Sequence, residues 1–121
     1  MATFLHNWLS KEDVISDFWP NRLWSVTAQY EGELDGAEIL LASYSCENYS
    51  GDAFVLFERD DKLFEVNGSH CSCFGLEGQW DESETTKAEL QHRLDKGELG
   101  RDDWSGNEFA SELREVLARL P

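Results

Sequence analysis

The run Ala53-Phe54-Val55-Leu56-Phe57 constrains this chain more than any other stretch. Consecutive strand side chains point to opposite sides, so an unbroken apolar run suits a strand buried on both faces. Such a strand sits inside a sheet, not at its edge. Arg59-Asp60-Asp61-Lys62 follows as a tight polar turn, and Leu63-Phe64-Glu65-Val66 returns. Together they predict an antiparallel hairpin.

The flanking segments supply further elements. Ser10 and Asp13 have the spacing of a helix cap, Val14, Ile15 and Phe18 make a short stripe, and Pro20 is a stop. A helix over 11–18 is expected. From Leu23, Trp24, Val26, Ala28 and Tyr30 alternate with polar residues, which predicts a half-buried strand. Asp35-Gly36 marks a turn, Ile39 to Tyr44 reads as another strand, and 47–52 as a polar loop. A further short strand is open through 70–74.

From residue 81 the composition turns helical. Thr86 and Glu89 have capping-box spacing ahead of Leu90 and Leu94, and Gly97 and Gly100 break that helix. Ser105 and Glu108 repeat the spacing. Phe109, Leu113, Val116, Leu117 and Leu120 then form an amphipathic stripe suited to a core. The order predicts an α+β fold: an antiparallel sheet of about four to five strands within 23–75, covered by an N-terminal helix and two C-terminal helices. Residues 23–66 leave no room for the crossover helices of a fully parallel sheet. The 121 residues fit one domain, 1–121.

Charge narrows the partners. The chain carries 25 acids against 10 bases, a formal charge of −15. That balance repels nucleic acid and anionic membranes and attracts basic surfaces. The five Trp lack the basic groove that nucleic-acid stacking needs, so direct nucleic-acid binding is not expected. The acids lie along the whole chain, including Asp60-Asp61, Asp81-Glu82 with Glu84, and Asp102-Asp103. No apolar run reaches membrane-spanning length. An odd count of 3 Cys and a leading stretch unlike a signal peptide point to a reducing cytosol and free thiols.

Residues 67–80 concentrate unusual chemistry. Cys46, His70, Cys71 and Cys73 offer thiolate and imidazole ligands of the kind zinc takes. Cys71-Ser72-Cys73 is looser than a Cys-x-x-Cys knuckle, so no cofactor is the first expectation and zinc the alternative. Adjacent His70 and Cys71 seldom align for proton transfer. The acidic surroundings also raise a thiol pKa, so a nucleophilic cysteine is not favoured. The carboxylate pairs fall at a turn and before a helix, where acids have ordinary structural uses.

Residues 49–80, from Tyr49-Ser50-Gly51-Asp52 through Asn67-Gly68-Ser69-His70-Cys71-Ser72-Cys73-Phe74-Gly75 to Trp80, resemble a family of small acidic proteins carried by phages and prophages. That family brings no assigned catalytic residues. At the level of class the resemblance implies inhibitors of host defence, such as anti-CRISPR and anti-restriction proteins. The expectation is a non-enzymatic acidic binding module in a bacterial host cytosol, blocking a basic, nucleic-acid-handling protein or nucleoprotein. Asp60, Asp61, Asp81, Glu82, Glu84, Asp102 and Asp103 would supply charge, with Tyr44, Tyr49 and Trp80 as apolar anchors. A metal- or redox-linked domain and a dimerising structural protein are the alternatives; the sequence leaves the oligomeric state open.

Overall fold

A computed structural model describes residues 2–19, 34, 36–47, 50–70, 80–97, 99–100 and 108–120. Within these the chain runs β1 (Thr3–His6), α1 (Lys11–Phe18), β2 (Glu38–Glu47), β3 (Ser50–Arg59), β4 (Lys62–His70), β5 (Ser83–Thr85), α2 (Lys87–Asp95) and α3 (Ala110–Arg119). The five strands form one sheet in sequence order. β2 through β5 pair antiparallel, and β1 joins β2 in parallel, Thr3 against Leu41 and His6 against Tyr44. The fold is α+β with a mixed sheet.

The apolar run lies in β3, the middle strand, and feeds two cores. Ala53, Val55 and Phe57 pack with Ala42, Tyr44 and Val66 beneath Val14 and Phe18 of α1, with Trp8 and Trp19 alongside. Phe54 and Leu56 face the other way, where Leu90, Leu94, Leu113, Val116 and Leu117 of α2 and α3 cover them. All five residues of the run are at most 3% exposed. Fully burying each large apolar side chain contributes about 1.5–3 kcal/mol, so a helix layer on each face is the energetic requirement of this strand. The register of β2 slips between Ile39 and Leu41. That bulge turns both Leu40 and Leu41 to the α2–α3 side.

Turns and caps follow local chemistry. Asp60 and Asp61 have φ of 55° and 64°. Positive φ at both central residues of a two-residue hairpin gives the turn whose twist matches its strands, and Asp tolerates it better than most residues. Ser10 accepts from the Asp13 N–H at 3.3 Å, and Thr86 from the Glu89 N–H at 3.1 Å. Each caps its helix as the spacing foretold.

Other segments differ from the sequence reading. α3 begins at Ala110 with Phe109 as N-cap, four residues beyond the Ser105 cap, and with no side-chain cap bond. The Gly100 carbonyl supplies the missing acceptor, taking the N–H groups of Phe109 at 3.0 Å and Ala110 at 3.2 Å. Ser83–Thr85 is an edge strand rather than part of the helical stretch from 81, because its ladder to Leu63–Glu65 outweighs a polar, patternless sequence. β1 was invisible for a related reason, since four residues carry too little periodicity. β4 reaches His70, well beyond Val66. The strand expected at 23–30, and residues 71–74 and 101–107, lie outside the described residues.

Gly100 is the sharpest local constraint. Its φ is +81°, and a Cβ there would sit 2.7 Å from the Ala110 nitrogen. Gly100→Ala combines strain with a backbone clash at the cap of α3, and thermal or urea unfolding should register a loss of about 2–4 kcal/mol. A loss below about 1 kcal/mol, the ordinary cost of a point substitution, contradicts this role.

Candidate acidic interface

Arg59 organises one side of the sheet. Its guanidinium lies over the rings of Phe64 at 4.9 Å and Phe57 at 5.5 Å. It donates to both carboxylate oxygens of Glu82. Glu82 also accepts from the indole N–H of Trp80 at 3.2 Å. The Trp80 ring packs against Trp19 at 4.8 Å, Phe18 at 5.0 Å and Phe57 at 5.7 Å. A cation held over aromatic faces and paired with a carboxylate is fixed in place. The segment entering β5 is thereby fastened to the α1 side of the sheet.

This arrangement revises the expected site. Glu82 is spent on Arg59 and Trp80, so it is not a free surface anion. Trp80 is half-buried within the aromatic cluster and serves the core as well as the surface. Tyr44 is a core residue, only 8% exposed, and not a surface anchor. It sits opposite Ala53, and its ring packs against the Trp8 ring at 5.2 Å. Asp60, Asp61, Asp81 and Glu84 are exposed as expected. Tyr49, Asp102 and Asp103 lie outside the described residues.

The bases of the described residues are largely turned onto the protein itself. Lys11 donates to the Ala37 carbonyl at 3.2 Å, and Lys87 to the Leu120 carbonyl at 3.0 Å. Arg114 pairs with Asp95 at 3.0 Å, joining α3 to α2. Arg93 of α2 pairs with Glu65 of β4, whose side chain is 11% exposed. Exposed carboxylates meanwhile stand on several elements: Glu12, Glu38, Asp52, Glu89, Asp95 and Glu115 besides those already named. The acids are therefore distributed rather than confined to one face.

Glu65, Glu84, Thr85, Thr86, Glu89 and Arg93 line a cleft of about 350 Å³ between the β4–β5 edge and the start of α2. Sequence reading missed Glu65, Glu89 and Arg93. One signal was present. In β4, Glu65 shares its side of the strand with Leu63, and an acid at an inward position requires a buried partner. A wider cleft of about 710 Å³ lies between the ends of α2 and α3, with His6, Asp95, Glu108 and Arg114 on its walls. There the His6 Nε2 donates to the Glu108 carbonyl at 3.0 Å.

The cysteine–histidine set is only partly placed. Cys46 and His70 flank Gly51 in one row of the sheet, on β2 and β4. Standard strand spacing puts their Cα atoms about 10 Å apart. Cys71 and Cys73 lie outside the described residues. Among the described residues no three His, Cys, Asp or Glu gather as a metal site, and no helix is long and apolar enough to cross a membrane. Comparison with protein-family models, curated proteins and solved structures found no match.

The Glu65–Arg93 pair bolts α2 to the sheet. Arg93→Met leaves Glu65 buried without its partner and should cost about 3 kcal/mol in urea unfolding. Glu65→Leu together with Arg93→Met should recover most of that loss. Equal destabilisation by the single and double variants would show that the pair is not the bolt.

Proposed function

We propose that this chain is a non-enzymatic, phage-encoded binding module that acts in a bacterial host cytosol. It occupies the phosphate-binding surface of a basic, nucleic-acid-handling partner. A CRISPR effector or a nuclease is the partner class that the resemblance of residues 49–80 to phage proteins favours. One observation carries the reading. Lys11, Arg59, Lys87, Arg93 and Arg114 are engaged with acceptors of the chain itself, while carboxylates stand outward on the β3–β4 turn, ahead of β5 and along α2. With −15 on the whole chain, the net field at the surface is anionic. Surfaces built for nucleic-acid phosphates are cationic and bind largely through electrostatics. A rigid polyanion competes for them without the phosphates.

The test begins with affinity capture from bacterial lysate, followed by reconstitution with the purified partner and a labelled nucleic acid. The chain should displace the nucleic acid, and association should slow by about tenfold or more between low and physiological salt. Asp60→Asn with Asp61→Gly removes two charges yet keeps a turn pair suited to positive φ. Adding Asp81→Asn should lower the association rate further at unchanged thermal stability. A complex indifferent to salt and to these substitutions would refute the electrostatic reading.

A further inference from the structure

We infer that the cleft between β4, β5 and α2 is the docking pocket for an arginine side chain of the basic partner; this inference rests on the reading above. Glu65 and Arg93 neutralise each other at the inner wall. Glu89 stands 4.0 Å from the same guanidinium, and Glu84, also exposed, has no ion pair among the described residues, so the three acids of the lining share one base. Acids alone would not make a site. The second observation is Thr85, which lines the same cleft, is 8% exposed, and has a buried Oγ1 with no hydrogen-bond partner among the described residues. Buried hydroxyls are normally paired, and this one leaves its acceptor lone pairs and its proton unused, in the cleft where the Arg93 Nε likewise lacks a hydrogen-bond partner.

The chemistry of the lining selects the ligand. Glu65, Glu84 and Glu89 outnumber the single guanidinium, which turns anions away. The first turn of α2 carries a partial positive charge that disfavours cations, but Thr86 already caps it and two full carboxylates stand beside it. A planar guanidinium brings five donors in a fixed fork, enough to meet Glu84, Glu89 and the Thr85 hydroxyl together. An ammonium offers a compact point charge and cannot span them equally. The cleft, about 350 Å³, is at the small end of the range for ligand sites and suits one long side chain.

The experiment is an NMR titration of the ¹⁵N-labelled full chain with blocked Gly-Arg-Gly, alongside the lysine and citrulline versions. Saturable shifts are expected at the amides of Glu84, Thr85, Thr86 and Glu89 with the arginine peptide. Glu84→Gln with Glu89→Gln should weaken that binding by about tenfold. Thr85→Val should weaken it severalfold while thermal stability holds or rises, because the orphaned hydroxyl is gone. Equal binding of the lysine or citrulline peptide, or shifts unaffected by Thr85→Val, would overturn the assignment. If the arginine peptide leaves these amides unmoved while the salt-dependent partner complex forms, the pocket falls and the wider reading stands. If the peptide docks but no salt-dependent partner complex is found, the pocket stands and the wider reading falls.

Discussion

Alternate residues of β3 are held in two cores, Ala53, Val55 and Phe57 beneath α1 and Phe54 and Leu56 beneath α2 and α3. A strand buried on both faces has no solvent-facing side on which to hide an error of register. A one-residue slip would exchange every contact between the two cores. The bulge in β2 accommodates this by placing Leu40 and Leu41 together on the α2–α3 side. The Phe54 ring stacks on Phe109 at 4.6 Å, just before α3. Burial of the middle strand thus extends to the helix whose start depends on the Gly100 carbonyl.

The same sandwich sorts the charges. Polar side chains that lie inside or along the layers must find partners, and Glu65 finds Arg93 while Arg59 finds Glu82. Each pairing removes one base and one acid from the surface. The surplus of acids is unchanged in number, but fewer bases stand among them. The carboxylates are spread across the strands and helices, so any recognition of a basic partner has to draw on local groupings. Glu84 of β5 and Glu89 of the first turn of α2 are the exposed acids that line the cleft holding Thr85.

Much of the scaffold was legible because its signals are local. Ser10 with Asp13 and Thr86 with Glu89 marked helix starts, and the Arg59–Lys62 turn marked a hairpin. The acids there also have a conformational reason, since Asp60 and Asp61 both take positive φ. What the sequence hid depends on distant partners. β1 and β5 are strands because of the ladders they join. Tyr44 is interior because it joins the core under α1, with its ring against Trp8. Glu82 looked like a surface charge because Arg59 lies 23 residues away in the chain. The cleft was beyond sequence reading, since its walls come from β4, β5 and α2.

Solvent paramagnetic relaxation of amide protons, measured with cationic and anionic nitroxides, gives the potential near each residue in solution. Sequestered bases and outward acids predict the most negative values around Asp60, Asp61, Asp81, Glu84 and Glu89, fading as salt is added. A potential that is uniform over the chain, or no more negative there than around α1, would contradict the claim that this scaffold presents a local anionic surface.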